Sequence, residues 1–422
     1  MHPDSAQPKE AVVAGSPVVP EPPTNIPTIL FGAFDRHNFG DLLFPHVVAA
    51  MLDDRNPVFA GLVDADLRRF GGHAVHAIAP LAAAWGERAV NIIHVGGEIL
   101  TCGAWQAAVM LLPPQQAHEA ITRLDARPRE ALEWAQRRLG TRALAPYCLP
   151  KGLFSGAARV IYNAVGGTEL GQCDAALRAE VLADLGAADA VGVRDRETLA
   201  QLAAAGITAR LVPDPAVMVA ALFGERIARH TRAGEVAQIR AAFPQGYLAM
   251  QFSADFGDDA TLDAIAAGLE RSARSTGYGV ALFRAGAAPW HDDRVCYARL
   301  AARLRATSVR IIESLDIWDI CALIAASRGY CGSSLHGRIV AMAFALPRLN
   351  LLHPSAGRRP GKQAAFAATW EPPEVRATVA VDHLAAGVGN ALNADPERLR
   401  HTARELVGRY SDEFGAIRQR LE

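Results

Sequence analysis

The six cysteines of this 422-residue chain include no Cys-x-x-Cys pair. None of them lies near histidines at the spacing of a zinc finger, which argues against the common structural zinc sites. In a chain of this length, cysteines are expected to be reduced core thiols rather than a disulfide framework. The sequence therefore predicts no metal site.

The chain also lacks an excess of charge and a long apolar run. It has 43 basic and 44 acidic residues, so no net field would attract a nucleic-acid backbone, and no nucleic-acid partner is expected. No uncharged apolar run reaches the ~18 residues of a membrane span. The first nine residues lack the basic and apolar regions of a signal peptide. The sequence thus predicts a cytoplasmic protein without a membrane span.

A chain of this length is expected to form two domains. Residues 1–26 contain repeated Pro, Ala and Gly without periodicity and are predicted to be a disordered tail. Short apolar strands, glycine loops and helices then alternate, and the pattern restarts after the stiff, extended segment Pro213-Asp-Pro215. This pattern predicts domains at 27–214 and 215–395. An amphipathic helix at 396–422 is expected to return to the first domain.

The alternation of strand, loop and helix predicts an α/β fold with parallel sheets that carry helices on both faces. We expect two Rossmann-like domains that face each other across a cleft, as in GT-B enzymes. Ligands of such sheets lie beyond the carboxyl ends of the strands. Since every glycine loop of the sequence follows a predicted strand, these loops are expected to share one site.

Two of these loops lie in the first half of the chain. Asn38-Phe-Gly-Asp41 stands between a strand and a helix, where a glycine permits close approach of a ligand to the backbone. Its alternative interpretation is an ordinary turn with Asp41 as the N-cap of the helix. Gly96-Gly97-Glu98 also follows a strand, and it suits either a ligand or helix–sheet packing. Glu98 is either a proton donor or a carboxylate that favours a helix dipole.

Arginine and histidine mark the other two loops. Arg194 ends a strand, and its planar guanidinium suits phosphate or carboxylate, although a surface ion-pair cluster is the alternative. Ser333-Ser-Leu-His-Gly-Arg338 opens an apolar helix. His336 would lie in the first turn, where the helix dipole favours a neutral imidazole that can act as a base. The alternative is a core histidine; His37 and His94 are rival catalytic histidines.

The order and context of these segments resemble the polysaccharide pyruvyl transferase family. Two positions depart from its pattern: Ser334 stands where an arginine is common, and Glu98 where a third glycine is common. Arg338, one helical turn after Ser334, is a candidate to replace that charge. The residues of this chain that match the family pattern are Asn38, Gly40 and Asp41; Gly96 and Gly97; Arg194 and Asp195; Pro213 and Asp214; Ser334, Leu335, His336 and Gly337.

The resemblance implies a pyruvyl transferase that uses phosphoenolpyruvate as co-substrate and needs no cofactor. Its acceptor would contain sugar; lipid linkage of the acceptor and the oligomeric state are left open. His336 would transfer protons, and Asp41 would be the acceptor-side carboxylate. The expected donor-binding residues are Arg194, Ser333, Ser334, Leu335, Gly337 and Arg338, and the expected cleft-lining residues are Asn38, Gly40, Gly96, Gly97 and Glu98.

Two other functions suit the same architecture, because a fold does not determine its chemistry. One is a GT-B glycosyltransferase that uses a nucleotide sugar, for which Glu313 is the only weak candidate to bind a ribose. The other is a non-catalytic sugar-binding protein, which the departure at Ser334 would favour.

Overall fold

A computed structural model of the chain describes residues 26–52, 56–355, 361–373, 375 and 378–421. The predicted disordered tail, residues 1–26, lies outside these ranges except for its last residue. None of the helices in the described ranges combines the length and the hydropathy needed to cross a membrane.

The first sheet is built from the strands before residue 212. Its order is β3-β4-β2-β1-β5-β6-β7-β8, and all neighbours are parallel except the pair β3 and β4. Its strands are β1 (Thr28–Phe31), β2 (Val58–Gly61), β3 (Ala65–Asp66), β4 (Ala74–Ala77), β5 (Val90–His94), β6 (Ala157–Val165), β7 (Ala190–Val193) and β8 (Arg210–Leu211).

Seven helices lie among these strands in the described residues. The sequence pattern did not indicate the three consecutive helices α3 to α5, which follow the Gly96-Gly97 loop. The helices are α1 (Phe39–Met51), α2 (Ile78–Trp85), α3 (Ala104–Met110), α4 (Pro114–Leu124), α5 (Pro128–Leu139), α6 (Ala175–Ala187) and α7 (Arg196–Ala204).

The second sheet has the order β11-β10-β9-β12-β13-β14, and its strands are all parallel. This is the strand order of a Rossmann fold, which reverses direction between β9 and β12. The predicted domain division near residue 214 falls between the two sheets. The strands are β9 (Tyr247–Gln251), β10 (Gly279–Leu282), β11 (Val309–Ile311), β12 (Gly329–Gly332), β13 (Arg348–Leu352) and β14 (Thr378–Ala380).

The helices of the second half include α13, which begins at Leu335 and has His336 in its first turn. The side chain of Ser334 caps it by accepting a hydrogen bond from the Gly337 N–H, so the motif forms the first turn of the helix. The helices are α8 (Val219–His230), α9 (Gly234–Ala242), α10 (Asp259–Thr276), α11 (Arg294–Arg303), α12 (Ile317–Ala325), α13 (Leu335–Ala343), α14 (Lys362–Trp370), α15 (Leu384–Leu392) and α16 (Pro396–Leu421).

One apolar core is shared by the facing sides of both sheets. It runs from Leu30 of β1 through α1, α12 and α13 to the last turns of α16. The outer faces of the first and second sheets have separate cores. The two domains are therefore joined below the cleft by buried apolar surface, which is a strong and non-directional contribution to their association.

The C-terminal helix α16 contacts the first sheet. The hydroxyl of Tyr410, a buried residue, accepts a hydrogen bond of 2.9 Å from the Asn163 side chain on β6. Near the end of α16, the main-chain carbonyl of Arg420 accepts a hydrogen bond from Arg159. The last helix thus ties the end of the chain to the domain that begins it.

Candidate functional site

A cleft of about 1130 Å³ opens between the carboxyl ends of the two sheets. This is where the strand order of each sheet reverses and where such folds bind ligands. The cleft brings together most of the polar residues that the sequence singled out. Those that line it are Asn38, Asp41, Glu98, Arg194, Ser333, Ser334, Leu335 and His336.

A chain of alternating charges crosses the cleft from one domain to the other. Arg194 is 1% exposed and forms ion pairs with Glu98 and with Asp214. The Oδ2 atom of Asp214 lies 3.2 Å from Nη1 of Arg194 and 3.5 Å from Nε2 of His336. The order is thus Glu98, Arg194, Asp214, His336, and the fully buried Asp214 joins the arginine of one domain to the histidine of the other.

Asp214 is held as a carboxylate. Burial alone would raise its pKa, but the neighbouring imidazole of His336 and the guanidinium of Arg194 outweigh burial and lower it. Its Oδ1 atom accepts the Ala216 N–H at 3.0 Å, which fixes the side chain. In the sequence, Asp214 stood out only as part of the domain boundary and of the family pattern, so its contacts with Arg194 and His336 were not predicted.

Two glycines make room for this chain of charges. A Cβ atom on Gly166 would lie 2.5 Å from Oε2 of Glu98 and 2.7 Å from Nε of Arg194. A Cβ atom on Gly40 would lie 1.8 Å from Nδ1 of His336. The glycine of the Asn38-to-Asp41 segment therefore lies against the catalytic candidate of the opposite domain and does not line the cleft itself.

His336 lies in the first turn of α13, and its side chain is 12% exposed. Its ring meets Phe44 of α1 edge to face, with centroids 5.1 Å apart. Its Nε2 atom faces Asp214, and its Nδ1 edge lies against Gly40 of α1. An imidazole that lines a cleft and has a buried carboxylate beside one ring nitrogen is suited to general acid–base chemistry.

The two rival histidines are occupied elsewhere. His37 connects the domains, because Nε2 donates to the Leu315 carbonyl at 2.9 Å while Nδ1 accepts the Ala287 N–H at 3.2 Å. His94 is fully buried, stacks on Tyr162 and has a pKa that burial lowers to about 3. Neither presents a free ring nitrogen to the cleft, so the geometry favours His336.

The expectation for Arg338 was wrong. This residue of α13 is fully buried, and its guanidinium donates to both carboxylate oxygens of Glu371 and to the side chain of Asn350. Gly337 also lies outside the cleft, because it packs against the ring of Tyr330. The residues of one helical turn cannot all face the ligand, and Arg338 and Gly337 face the core.

Gly96 and Gly97 support the site without lining it. Their φ angles are 130° and 94°, a region that is strained for residues with a side chain. A Cβ atom on Gly97 would lie 3.2 Å from Oδ1 of Asp41. The pair thus turns the chain after β5 and leaves space for Asp41, while Glu98 reaches the cleft.

The second-domain end of the cleft carries a cation that the sequence analysis missed. Lys362 is exposed, opens α14 and lines the cleft. Among the described residues, no carboxylate lies within ion-pair distance of its ammonium group. Gln363, the next residue, donates from its side chain to the Ser333 carbonyl. The first turns of α13 and α14 are therefore adjacent, and no side chain caps α14.

Two further carboxyl groups lie on opposite walls. On the first-domain wall, Asp41 is 3.5 Å from Nη2 of Arg36, whose Nη1 donates to the Tyr147 hydroxyl. On the second-domain wall, burial raises the pKa of Asp292 to about 7, although the Ala285 N–H and the Gln251 amide donate to its oxygens. Nothing in the spacing of the sequence marked Arg36 or Asp292.

The capping of α1 also differs from the expected turn. Asn38, not Asp41, is the N-cap and accepts the N–H groups of Gly40 and Asp41 at 3.1 and 3.3 Å. Its amide nitrogen lies 3.0 Å from Nε2 of His291 in the second domain. Asn38 therefore starts the helix and contacts the other wall of the cleft.

A sequence model described as polysaccharide pyruvyl transferase matches residues 38–353, from Asn38 in the first loop to the end of β13 and His353. The chain belongs to the polysaccharide pyruvyl transferase family. It is a transferase, and the family implies an acceptor of the sugar or polysaccharide class. The resemblance read from the ordered motifs is thereby confirmed. No curated protein matches the chain.

Solved structures confirm the expected fold. The UDP-GlcNAc 2-epimerase of Neisseria meningitidis aligns with a TM-score of 0.52 and 11% identity, over 93% of this chain and 98% of the epimerase. A putative UDP-N-acetylglucosamine 2-epimerase of Listeria monocytogenes aligns with a TM-score of 0.50 and 9% identity, over 90% and 91% of the two chains. At such identities the similarity shows the GT-B-like architecture alone.

Proposed function

We propose that this transferase moves the pyruvyl group of phosphoenolpyruvate onto two hydroxyls of a sugar, forming a ketal and releasing phosphate. The observation that carries the proposal is the position of His336. Its ring lies at the start of α13 in the cleft, with the Asp214 carboxylate behind Nε2. An imidazole oriented by a carboxylate in this way can transfer a proton to a substrate.

The reaction needs one proton at the methylene carbon of the donor. We assign that proton to the imidazole of His336, and the resulting cationic carbon then takes the oxygen of one acceptor hydroxyl. A second hydroxyl forms the second C–O bond as the C–O bond to phosphate breaks. Of the two hydroxyl hydrogens, one restores the proton on His336 and the other leaves with phosphate, so the atoms balance.

The anionic donor would bind at the second-domain end. Lys362 supplies a cation, and the starts of α13 and α14 supply main-chain N–H groups with partial positive charge. The hydroxyl of Ser333 also lies there, fixed by the Ser253 N–H at 3.0 Å. This assignment replaces Arg338 with Lys362 as the cation for phosphate or carboxylate.

We do not assign Arg194 to donor binding, the role that the sequence suggested for it. Its guanidinium is already paired with Glu98 and Asp214, so little of its charge is left for a donor. We assign it to positioning Asp214, and through Asp214 the ring of His336. Asp41 and Glu98 then face the acceptor hydroxyls on the first-domain wall.

The nucleotide-sugar alternative loses the residue that supported it. Glu313 forms an exposed ion pair of 2.6 Å with Arg294 and does not line the cleft. No other observation favours that chemistry over pyruvyl transfer.

Incubation of the protein with phosphoenolpyruvate and a panel of methyl glycosides tests the proposal. We expect phosphate release that depends on the sugar, together with the mass of a pyruvyl ketal on the product. Phosphate release without a sugar product would point to hydrolysis. Transfer from UDP-glucose, with none from phosphoenolpyruvate, would overturn the proposal.

A further inference from the structure

One tryptophan stands in the mouth of the cleft. Trp290 lines the cleft and is 45% exposed. Its ring centroid lies 6.4 Å from that of Trp105 on α3, at an interplanar angle of 62°. Trp290 belongs to the second domain and Trp105 to the first, so the two rings meet across the entrance to the site.

The backbone of Trp290 is held in an unfavourable conformation. Its φ angle is 63°, and for a bulky residue this left-handed region costs on the order of 1 kcal/mol or more. Hydrogen bonds on both sides maintain it: the His291 N–H donates to Ala288, and the Asp292 N–H donates to Gly286. Such strain persists where surrounding bonds fix it, and here its result is an indole ring that points into the entrance.

Trp105 is supported from behind. Its indole N–H donates to Asp125 at 3.2 Å, and its ring meets Trp134 of α5 edge to face at 5.5 Å. Aromatic rings arranged in this way are rigid and lose little conformational entropy on binding. The rings Trp134, Trp105 and Trp290 form a row, here called the tryptophan row, which runs from α5 to the cleft.

Apart from two arginines that are paired with carboxylates, the polar groups of the wall beside the tryptophan row are carboxylates and amides. Asp41, Glu98 and Glu169 line the first-domain wall, together with the amide side chains of Gln106 and Gln172. Arg36 and Arg194 of this wall are already paired with carboxylates, so neither is left to attract an anionic ligand such as a nucleotide or an acidic sugar. Carboxylates and amides suit a neutral ligand with many hydroxyls, and an exposed indole suits one with an apolar face.

We propose that Trp290 is the stacking platform for a neutral acceptor sugar, whose apolar C–H face lies on the indole while its hydroxyls face Asp41 and Glu98. The inference rests on the proposed function for placing the acceptor on the first-domain wall. Trp290 is then a specificity-determining residue: it orients the sugar but does not touch the transferred group.

Saturation-transfer NMR with methyl glycosides of glucose, galactose and mannose, without phosphoenolpyruvate, tests this platform. Trp290→Gly removes the ring and retains a residue that tolerates the positive φ angle, while Trp290→Phe retains an aromatic face. We expect the glycine variant to lose saturation transfer to the C–H face and to raise the acceptor KM about tenfold, the loss of one aromatic contact. Val295→Ala, an exposed apolar residue outside the cleft, is the control.

Each outcome decides the proposal. Loss in Trp290→Gly, retention in Trp290→Phe and no change in Val295→Ala support it. Equal sugar contact in Trp290→Gly and the unmodified protein overturns it, as does the absence of contact with every glycoside. Because this readout needs no donor, sugar contact through Trp290 without pyruvyl transfer would contradict only the proposed reaction. Transfer that is indifferent to Trp290 would contradict only the platform.

Discussion

The two walls of the cleft differ in how their charges are matched. On the first-domain wall the arginines are paired: Arg36 with Asp41, and Arg194 with Glu98 and Asp214. On the second-domain wall, Lys362 lies near two helix starts, and no carboxylate of the described residues pairs with it. Charged side chains that already neutralise one another hold each other in position, whereas a cation without a paired carboxylate attracts an anionic ligand. An arginine that lines a cleft therefore need not be an anion-binding residue.

Replacement of the histidine between the walls is expected to have the largest effect. His336→Gln should lower kcat about 100-fold or more, the usual value of one proton transfer. The partly exposed ring fills little of the core, so the melting temperature should hardly change. Steady-state kinetics beside a thermal melt measure both quantities. Near-normal turnover with an unchanged melt would remove His336 from catalysis, and a collapsed melt would make it a core histidine.

Gly40→Ala tests whether the first domain positions that histidine. The added methyl group would meet the ring of His336 at 1.8 Å, so the ring must move. We expect kcat to fall about tenfold to 100-fold, since misplaced catalytic groups lose much of their effect. Gly389→Ala, at a position with nothing within 4 Å of the added Cβ, is the matched control. Equal kinetics for the two variants would contradict the close approach.

Lys362→Gln tests the unmatched cation. If its ammonium binds the donor, the KM for phosphoenolpyruvate should rise about tenfold while the acceptor KM stays constant, because one charge-assisted contact contributes about 1.5–3 kcal/mol. Lys362→Arg should retain most of the affinity. A matched removal of an exposed cation, Arg310→Gln, should leave both KM values unchanged. A rise in the acceptor KM alone would place the donor elsewhere.

The smallest effect concerns a histidine that serves the fold rather than the site. Burial lowers the pKa of His94 from 6.5 to about 3, so in this range the unfolded chain binds a proton that the folded chain does not. The free energy of unfolding should therefore decrease as the pH is lowered below 6.5, by about 1.4 kcal/mol per pH unit for this group. The glutamine side chain of His94→Gln cannot titrate, so this variant should lack the contribution of His94 to the dependence of stability on pH. Urea denaturation at several pH values measures the difference; equal slopes would contradict it.

The sequence predicted the sheets and the meeting of Glu98, Arg194 and His336, because strand ends of parallel sheets converge. It could not predict Asp214 between Arg194 and His336, or Gly40 beneath the His336 ring. Those contacts depend on how one domain lies on the other, and local patterns carry no such information.

Arg338 shows a second limit of sequence analysis. One helical turn separates it from Ser334, and charge alone suggested a ligand. Its partner Glu371 lies 33 positions further on, beyond α14, so only the assembled fold shows that the arginine is already neutralised. Lys362 was not predicted either, because a lysine at the start of an ordinary apolar helix belongs to no recognisable motif.

Helix α14 connects the second-domain end of the cleft with the first domain. Its first residue, Lys362, lies in the cleft, and its last residue, Trp370, donates from the indole to the main-chain carbonyl of Arg194. Near that end, Thr369 accepts the Arg196 N–H. Nine residues of helix make a rod of about 13 Å. Because one end of this helix is hydrogen-bonded to the first domain and the other presents an ammonium group to the cleft, the position of that cation depends on how the two domains lie on each other.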